Sequence, residues 1–293
     1  MNILTFDIEE WAITKARTGI TNAIYYSKYD NMLGQVLDLL EQHQLHATCF
    51  CTGEMAIEFP QVVQLIASKG HEIACHSHTH QWCNKMSAKA FNEDTYKAID
   101  SLEQCIGQKI KGYRAPAFSI TEKTPYAFEI LHKHGITYDA SIFPCSRDFG
   151  GFPSFGHQVP TRIKHEGIEI YEFPIPTTNI LSKNIAWSGG GYFRMFPFPI
   201  IQHYINQSNY VMSYFHLKDL IAEPMRMMTR ERYEEYFKES GTFIKRINRM
   251  IKGGIAIGNT YNKLEKLIKK NKFINIQTAI SSINWDKTPI KQL

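Results

Sequence analysis

The chain lacks the marks of export at its start. Residues Met1 to Asp7 reach an acid by position 7, with neither a basic beginning nor a long apolar stretch, unlike a signal peptide. No apolar run approaches the roughly 18 to 20 residues that cross a bilayer. No Gly-x-Ser-x-Gly elbow is present to present a nucleophilic serine, and no glycine-rich loop is built to cradle phosphate. Charge of one sign is also scarce. A net +5 over 293 residues is far from the concentrated basic surface that a phosphate backbone requires, so nucleic acid is not an expected partner. The six cysteines (Cys49, Cys51, Cys75, Cys83, Cys105 and Cys145) sit in apolar strand-like or helical contexts, without the spacing of a disulfide framework. Together these absences lead us to expect a soluble cytoplasmic protein with free thiols, not an integral membrane protein.

What is present is an ordinary globular composition, 43% apolar and 21% charged, long enough to bury a sizeable core. Asn2 to Phe6, Ala47 to Cys51, His71 to Ala74, Ile110 to Tyr113, Thr137 to Ser141, Ile168 to Phe173 and Val211 to Phe215 read as strands. Between the early ones lie helical stretches: Asn31 to His43, the segment Pro60 opens and Gly70 ends, Ser87 to Ile106 stopped by Gly107, and Thr124 to His134 ended by Gly135. Strand–helix–strand alternation implies a parallel sheet, and about seven units imply a barrel-like α/β fold. No low-complexity linker and no internal repeat divides the chain, so residues 1–293 are expected to form one domain whose part after 220 is mainly helical. The basic stretch Lys263 to Lys272 carries Leu264, Leu267 and Ile268 at helical spacing, which reads as a docked amphipathic helix with a solvated face.

Reactive residues fall repeatedly at strand ends. Asp7, Glu9 and Glu10 follow the first strand, and His76, His78 and His80 follow the third. Arg114 follows the fourth, Asp139 lies near the end of the fifth, and His216 follows the last. The C-terminal ends of barrel strands share one face, so residues distant in sequence converge there. Two histidines four apart, with one carboxylate from Asp7, Glu9 or Glu10, make a two-nitrogen, one-oxygen ligand set with a position left open. Three acids after a buried strand repel one another unless a cation compensates, and a metal ion with Arg114 supplies that compensation.

These residues form a pattern. Thr-Phe-Asp-Ile-Glu-Glu at 5–10, Gly-His-Glu-Ile-Ala-Cys-His-Ser-His-Thr-His at 70–80, Tyr-Arg-Ala-Pro-Ala-Phe at 113–118, Tyr-Asp-Ala-Ser at 138–141 and Ser-Tyr-Phe-His at 213–216 resemble, in order, the five motifs of the polysaccharide deacetylases (the NodB homology domain, carbohydrate esterase 4-like). Glu-Phe-Pro-Ile-Pro at 172–176 and Ser-Gly-Gly-Gly-Tyr-Phe-Arg at 188–194 resemble a subgroup that accompanies bacterial exopolysaccharide assembly. The resemblance implies a distorted (β/α)7 barrel. It also implies a divalent ion, zinc first and cobalt or nickel as alternatives, that assists removal of acetyl groups from N-acetylated saccharides.

Carried over residue by residue, the resemblance makes Asp7 the general base and Glu9, His76 and His80 the metal ligands, with Glu10 competing for the acidic place. Arg114 orients the base, His216 is the general acid and Asp139 tunes it. Trp11, Pro116, Phe118, Trp187 and Tyr192 are expected to wall the sugar cleft, with a backbone N–H near Phe118 facing the oxyanion. Ile8 separates Asp7 from Glu9 where many members carry adjacent aspartates. Two rival readings stand beside this one. A glycosidase using paired carboxylates leaves the histidines unexplained. A silent sugar-binding protein on the same fold does not need the complete residue set. Oligomeric state and the sugar itself are left open.

Overall fold

The computed structural model of the protein describes residues 1–18, 23–147, 150–180, 183–222, 227–237, 239–254 and 258–293. Its centre is a nine-stranded sheet built from β1 (Asn2–Ile8), β2 (Thr48–Cys51), β3 (Glu72–Cys75), β4 (Gly112–Tyr113), β5 (Tyr138–Asp139), β6 (Thr161–His165), β7 (Ile168–Glu172), β10 (Val211–His216) and β11 (Ile290–Gln292). β8 (Thr177–Ile180) and β9 (Lys183–Ala186) form a separate hairpin. The sheet order is β10-β1-β2-β3-β4-β5-β7-β6-β11. Every neighbouring pair from β10 to β7 is parallel, which gives the expected seven parallel strands of the α/β barrel-like fold. Among the described residues the two end strands, β10 and β11, do not pair with each other, and β6 runs antiparallel to β7.

The strand sequences suit this place. A parallel strand is covered on both faces and so reads as a continuous apolar run. β1 is buried after its first residue, and β2 is buried throughout. Helices return the chain between strands and are bounded by the residues their ends need. Ser87 accepts from Ala90 N at the start of Ala88–Ile106, and Gly107 closes that helix in the left-handed conformation, φ 69°. In the helix Thr260–Lys270, Lys266, Lys269 and Lys270 face outward and Lys263 Nζ donates to the carbonyls of Phe193, Arg194 and Phe196, while Leu264, Leu267 and Ile268 are buried. Burying each such side chain stabilises the fold by about 1.5–3 kcal/mol.

The C-terminal part is tied into the same sheet. Ile274 bridges Ile3, and β11 pairs with β6. All six cysteines are unpaired thiols, five of them buried, and burial pushes the Cys49, Cys51 and Cys75 thiols up, away from nucleophilic use. No described helix is long and apolar enough to cross a membrane.

Strand register sets the site. Asp7 is the register partner of His216. Cys75, Tyr113, Asp139 and Glu172 are partners in succession along one row. His76 and Arg114, each the next residue after a member of that row, therefore leave the sheet at the same edge as Asp7 and His216.

Candidate metal centre and active site

After β1 the chain turns into the helix Glu10–Thr18, which leaves Glu9 at the strand end. After β3 it enters the histidine loop, where Ser77 and His80 hold positive φ, 67° and 58°. Left-handed backbone is costly away from glycine and persists where contacts enforce it. Here the His76 N–H donates to Cys51 O at 2.8 Å, and Asp94 accepts from the His78 N–H at 2.9 Å.

The loop points both imidazoles at Glu9. Glu9 Oε2 lies 2.6 Å from His80 Nε2 and 3.3 Å from His76 Nε2, and all three residues are buried. His76 Nδ1 stands 2.7 Å from Arg114 O. A carbonyl only accepts, so Nδ1 carries a proton and Nε2 is the ring atom turned to the carboxylate. His80 Nδ1 meets the Tyr236 hydroxyl at 2.9 Å. Two imidazole nitrogens and one carboxylate oxygen thus converge in a buried place, all within 4.8 Å of one another. The donor set therefore fits a divalent ion, with each ring held from behind as ligating histidines are. Burial alone raises the Glu9 pKa, but His80 and His216 outweigh it and hold the carboxyl well below its usual range.

Asp7 sits against the fully buried Arg114, whose NH1 donates to Asp7 Oδ1 at 2.7 Å and to Thr5 Oγ1 at 2.9 Å. Its Nε donates to Ala140 O, and its guanidinium lies 4.0 Å from the centre of the Phe50 ring. Burial pushes the Asp7 pKa up; Arg114 first, then His76 and His216, overcome this and keep it ionised. His216 Nε2 lies 3.7 Å from Asp7 Oδ2 and 3.5 Å from Glu9 Oε1. Its Nδ1 is 3.1 Å from Asp219 Oδ2, which also accepts the His216 N–H. Burial lowers this imidazole's pKa, but the Glu9 carboxylate and the Asp219 hydrogen bond carry it up to about 9, so the ring is charged at neutral pH.

Several expectations from sequence are corrected. Glu10 turns away from the histidines, accepting from the Lys218 N–H at 3.0 Å. Asp139 does not meet His216; it accepts from Ser141 Oγ and N beside Glu172, and the carboxylate that meets His216 is Asp219. Trp11 is 1% exposed, bonded to Asp30 and packed on Tyr29. Trp187 is 2% exposed, against Tyr204. Both indoles are large apolar groups that the core claimed, and Pro116 is likewise buried in the turn before Phe118. Phe118 and Tyr192 do line the cleft. Ala117 and Phe118 adopt positive φ, 56° and 55°, and Gly150 approaches so closely that a Cβ there stands 2.4 Å from Phe118 O.

Sequence reasoning missed Asp219, Glu172, Tyr236 and Lys218. Asp219 had a local signal: it lies three residues after His216, and the pair forms a reciprocal cap on the helix Leu217–Leu220. Glu172 had none.

Asp139 and Glu172 are both fully buried. Burial, then each carboxyl's effect on the other, raises Glu172 well above the ordinary 4.5, so the pair retains one proton where a lone carboxyl has lost it. Folding then binds a proton that the unfolded chain releases above pH 4.5. Stability is therefore expected to fall as pH rises through the raised value. Urea unfolding at successive pH values is expected to show that slope in the native protein and a flatter one in Glu172→Gln; equal slopes in the two would remove the shared proton from the account.

Known proteins were compared with this geometry. Residues 3–139 match the polysaccharide deacetylase family, and residues 140–281 match a domain of unknown function, DUF3473. A Bacillus cereus peptidoglycan-N-acetylglucosamine deacetylase is 34% identical over 88 residues, 30% of this chain and 32% of that protein. A chitooligosaccharide deacetylase of Rhizobium leguminosarum bv. trifolii is 34% identical over 86 residues, 28% of this chain and 40% of that protein. The chain thus spans well under half the length of these curated relatives. The crystal structure of a Mycobacterium smegmatis protein, proposed to be a polysaccharide deacetylase, superposes with a TM-score of 0.64 at 15% identity, covering 100% of this chain and 92% of that one; at that identity the likeness is one of fold. Residues 3–139, just under half of the chain, are thus similar to the polysaccharide deacetylases.

Proposed function

We propose that the protein is a metal-dependent hydrolase that removes N-acetyl groups from amino sugars of a bacterial saccharide, releasing acetate. The observation that carries this is the convergence of Glu9, His76 and His80 on one point, with Asp7–Arg114 and His216–Asp219 beside it. The curated relatives, named for peptidoglycan and chitooligosaccharide deacetylation, support the same chemistry, and the stretch 172–176 agrees with an exopolysaccharide setting. Because one sheet runs through both matched segments, we read residues 1–293 as a single catalytic unit.

A divalent ion held by Glu9, His76 and His80, zinc first by its ligand types, supplies the Lewis acidity that amide hydrolysis needs at neutral pH. Asp7, ionised and fixed by Arg114, accepts the proton of the attacking water. The backbone N–H groups of Phe118 and Ser119 are already donated to Ala115 O and Pro116 O within the turn, so they are not the donors for a developing oxyanion. His216, protonated and held by Asp219 through Nδ1, gives its Nε2 proton to the departing amine. A paired-carboxylate glycosidase fits less well, because Asp7 and Glu9 both stand against the one His216 nitrogen instead of facing each other across a cleft.

Metal content of the purified protein beside His76→Ala/His80→Ala, with acetate release from short N-acetylglucosamine oligomers, tests the reading. Near-stoichiometric divalent metal, lost with the activity in the variant, is expected; a protein that takes up no metal even on reconstitution ends it. Asp219→Asn is expected to lower kcat by about 10- to 100-fold. Removing that carboxylate lowers the His216 pKa, so the alkaline limb of the rate profile moves to lower pH. An unmoved limb separates Asp219 from the acid.

A further inference from the structure

The candidate site is the floor of a cleft of about 1960 Å³, well above the roughly 300–1,000 Å³ of ordinary ligand pockets. Floor and walls differ in charge balance. On the floor the carboxylates of Asp7, Glu9, Glu10 and Asp219 lie against Arg194, Lys218 and His216. The rest of the lining holds Lys85, Lys123, Arg147, Lys245, Arg246 and Arg249 against Glu122 and Glu239. The lining as a whole, eight lysines and arginines to six acids, is near the chain's 33 to 28; what is uneven is that the acids gather at the floor and the cations at the walls. These cations come from four separate segments of the chain and meet only in the folded state.

Two of them are held flat. Arg147 lies 4.3 Å from the Phe143 ring centre and donates to Ala117 O, and Arg249 lies 3.7 Å from the Phe237 ring centre. Stacking fixes the plane of each guanidinium, and Arg249 also hydrogen-bonds Tyr233, so these cations act on a ligand chiefly through their charge. A cleft lined by one sign of charge focuses field on ligands of the other sign. The floor's charges are paired among themselves, so the end of the ligand that reaches it is uncharged, and the unbalanced charge stands at the walls.

We propose that the cleft takes a saccharide of mixed character: an uncharged N-acetylated sugar that reaches the floor, carrying next to it a phosphate or carboxylate that the basic walls hold. This rests on the deacetylase reading of the floor. Metal-loaded full-length protein is titrated calorimetrically with three probes: UDP-N-acetylglucosamine for phosphate, a glucuronate–N-acetylglucosamine oligomer for carboxylate, and neutral N-acetylglucosamine tetramer. Each is measured at about 50 mM and about 500 mM salt, with acetate release followed in parallel.

At least one anionic probe is expected to bind about tenfold or more tightly than the neutral tetramer at low salt, with most of that advantage lost at high salt. Which probe wins identifies the anionic group. Lys85→Gln/Lys123→Gln, at two exposed side chains outside the metal-ligand set, is expected to weaken the anionic probe severalfold and leave the tetramer unchanged. Neutral binding equal to or tighter than both anionic probes overturns the proposal, whether or not acetate is released. Salt-sensitive anionic binding without acetate from any probe upholds it and counts against the deacetylase activity.

Discussion

Replacing Arg114 with methionine is expected to cost about 3–5 kcal/mol of stability, because it strands the Asp7 carboxylate in the interior without its partner. Arg114 is fully buried and Asp7 is 2% exposed, so water cannot take over the lost ion pair. The same guanidinium joins β1 to the segment after β5 by donating to Asp7, Thr5 and Ala140. Lysine cannot repeat this, since a single ammonium lacks the planar fork, and Arg114→Lys is expected to recover little. The informative partner is the double variant Arg114→Met/Asp7→Asn. With the stranded charge removed, much of the stability is expected to return while acetate release stays absent. Urea denaturation of the four proteins checks this. If Arg114→Met alone lies within about 1 kcal/mol of the native protein, Asp7 is not held ionised in the way described.

Metal loss on changing a single ligand is the second large effect. Structural zinc sites bind with about 10–16 kcal/mol, so one ligand among four carries about 3 kcal/mol, and its removal is expected to weaken binding by about 100-fold or more. His80→Ala and Glu9→Gln are expected to reach that loss. Glu10→Gln is expected to bind metal as the native protein does, because Glu10 serves the Lys218 N–H instead of the histidines. Added metal should raise the melting temperature of the native protein and of Glu10→Gln but not of the ligand variants, a saturating ion at 100 times its Kd contributing about 2.7 kcal/mol. Affinity should fall as pH drops through the histidine range, since an imidazole must shed its proton to ligate. The opposite ranking, metal lost with Glu10 and kept without Glu9, would reassign the acidic ligand. Elemental analysis with thermal unfolding reads both.

Among the seven parallel strands, β1, β2 and β10 were legible because they are buried almost throughout and so carry largely apolar runs, whereas β7 is only partly buried. The helices between them carry their own end signals, as Ser87 and Gly107 do. β6, the β8–β9 hairpin and β11 escaped notice. They are short or half-exposed, as the mixed burial of Thr161–His165 and the exposed ends of Ile290–Gln292 illustrate, and their partners rather than their composition make them strands. The amphipathic helix at Thr260–Lys270 was legible from spacing, because three apolar residues on one stripe require a surface to cover them.

In the site, the sequence by itself determined which groups stand at strand ends: Asp7, Glu9, His76, His80, Arg114 and His216. Parallel strands with short following loops bring such residues to a common edge whatever the details. Only the tertiary structure decided between Glu9 and Glu10, since neighbours on a turn leave it in different directions and spacing does not say which one the histidines meet. Only it placed Asp219 on His216 and gave Asp139 to Glu172 instead. It also drew Trp11 and Trp187 into the core while leaving Phe118 and Tyr192 at the cleft. Strand-end position follows from local pattern and topology, whereas side-chain direction and charge partners follow from what the rest of the chain packs against them.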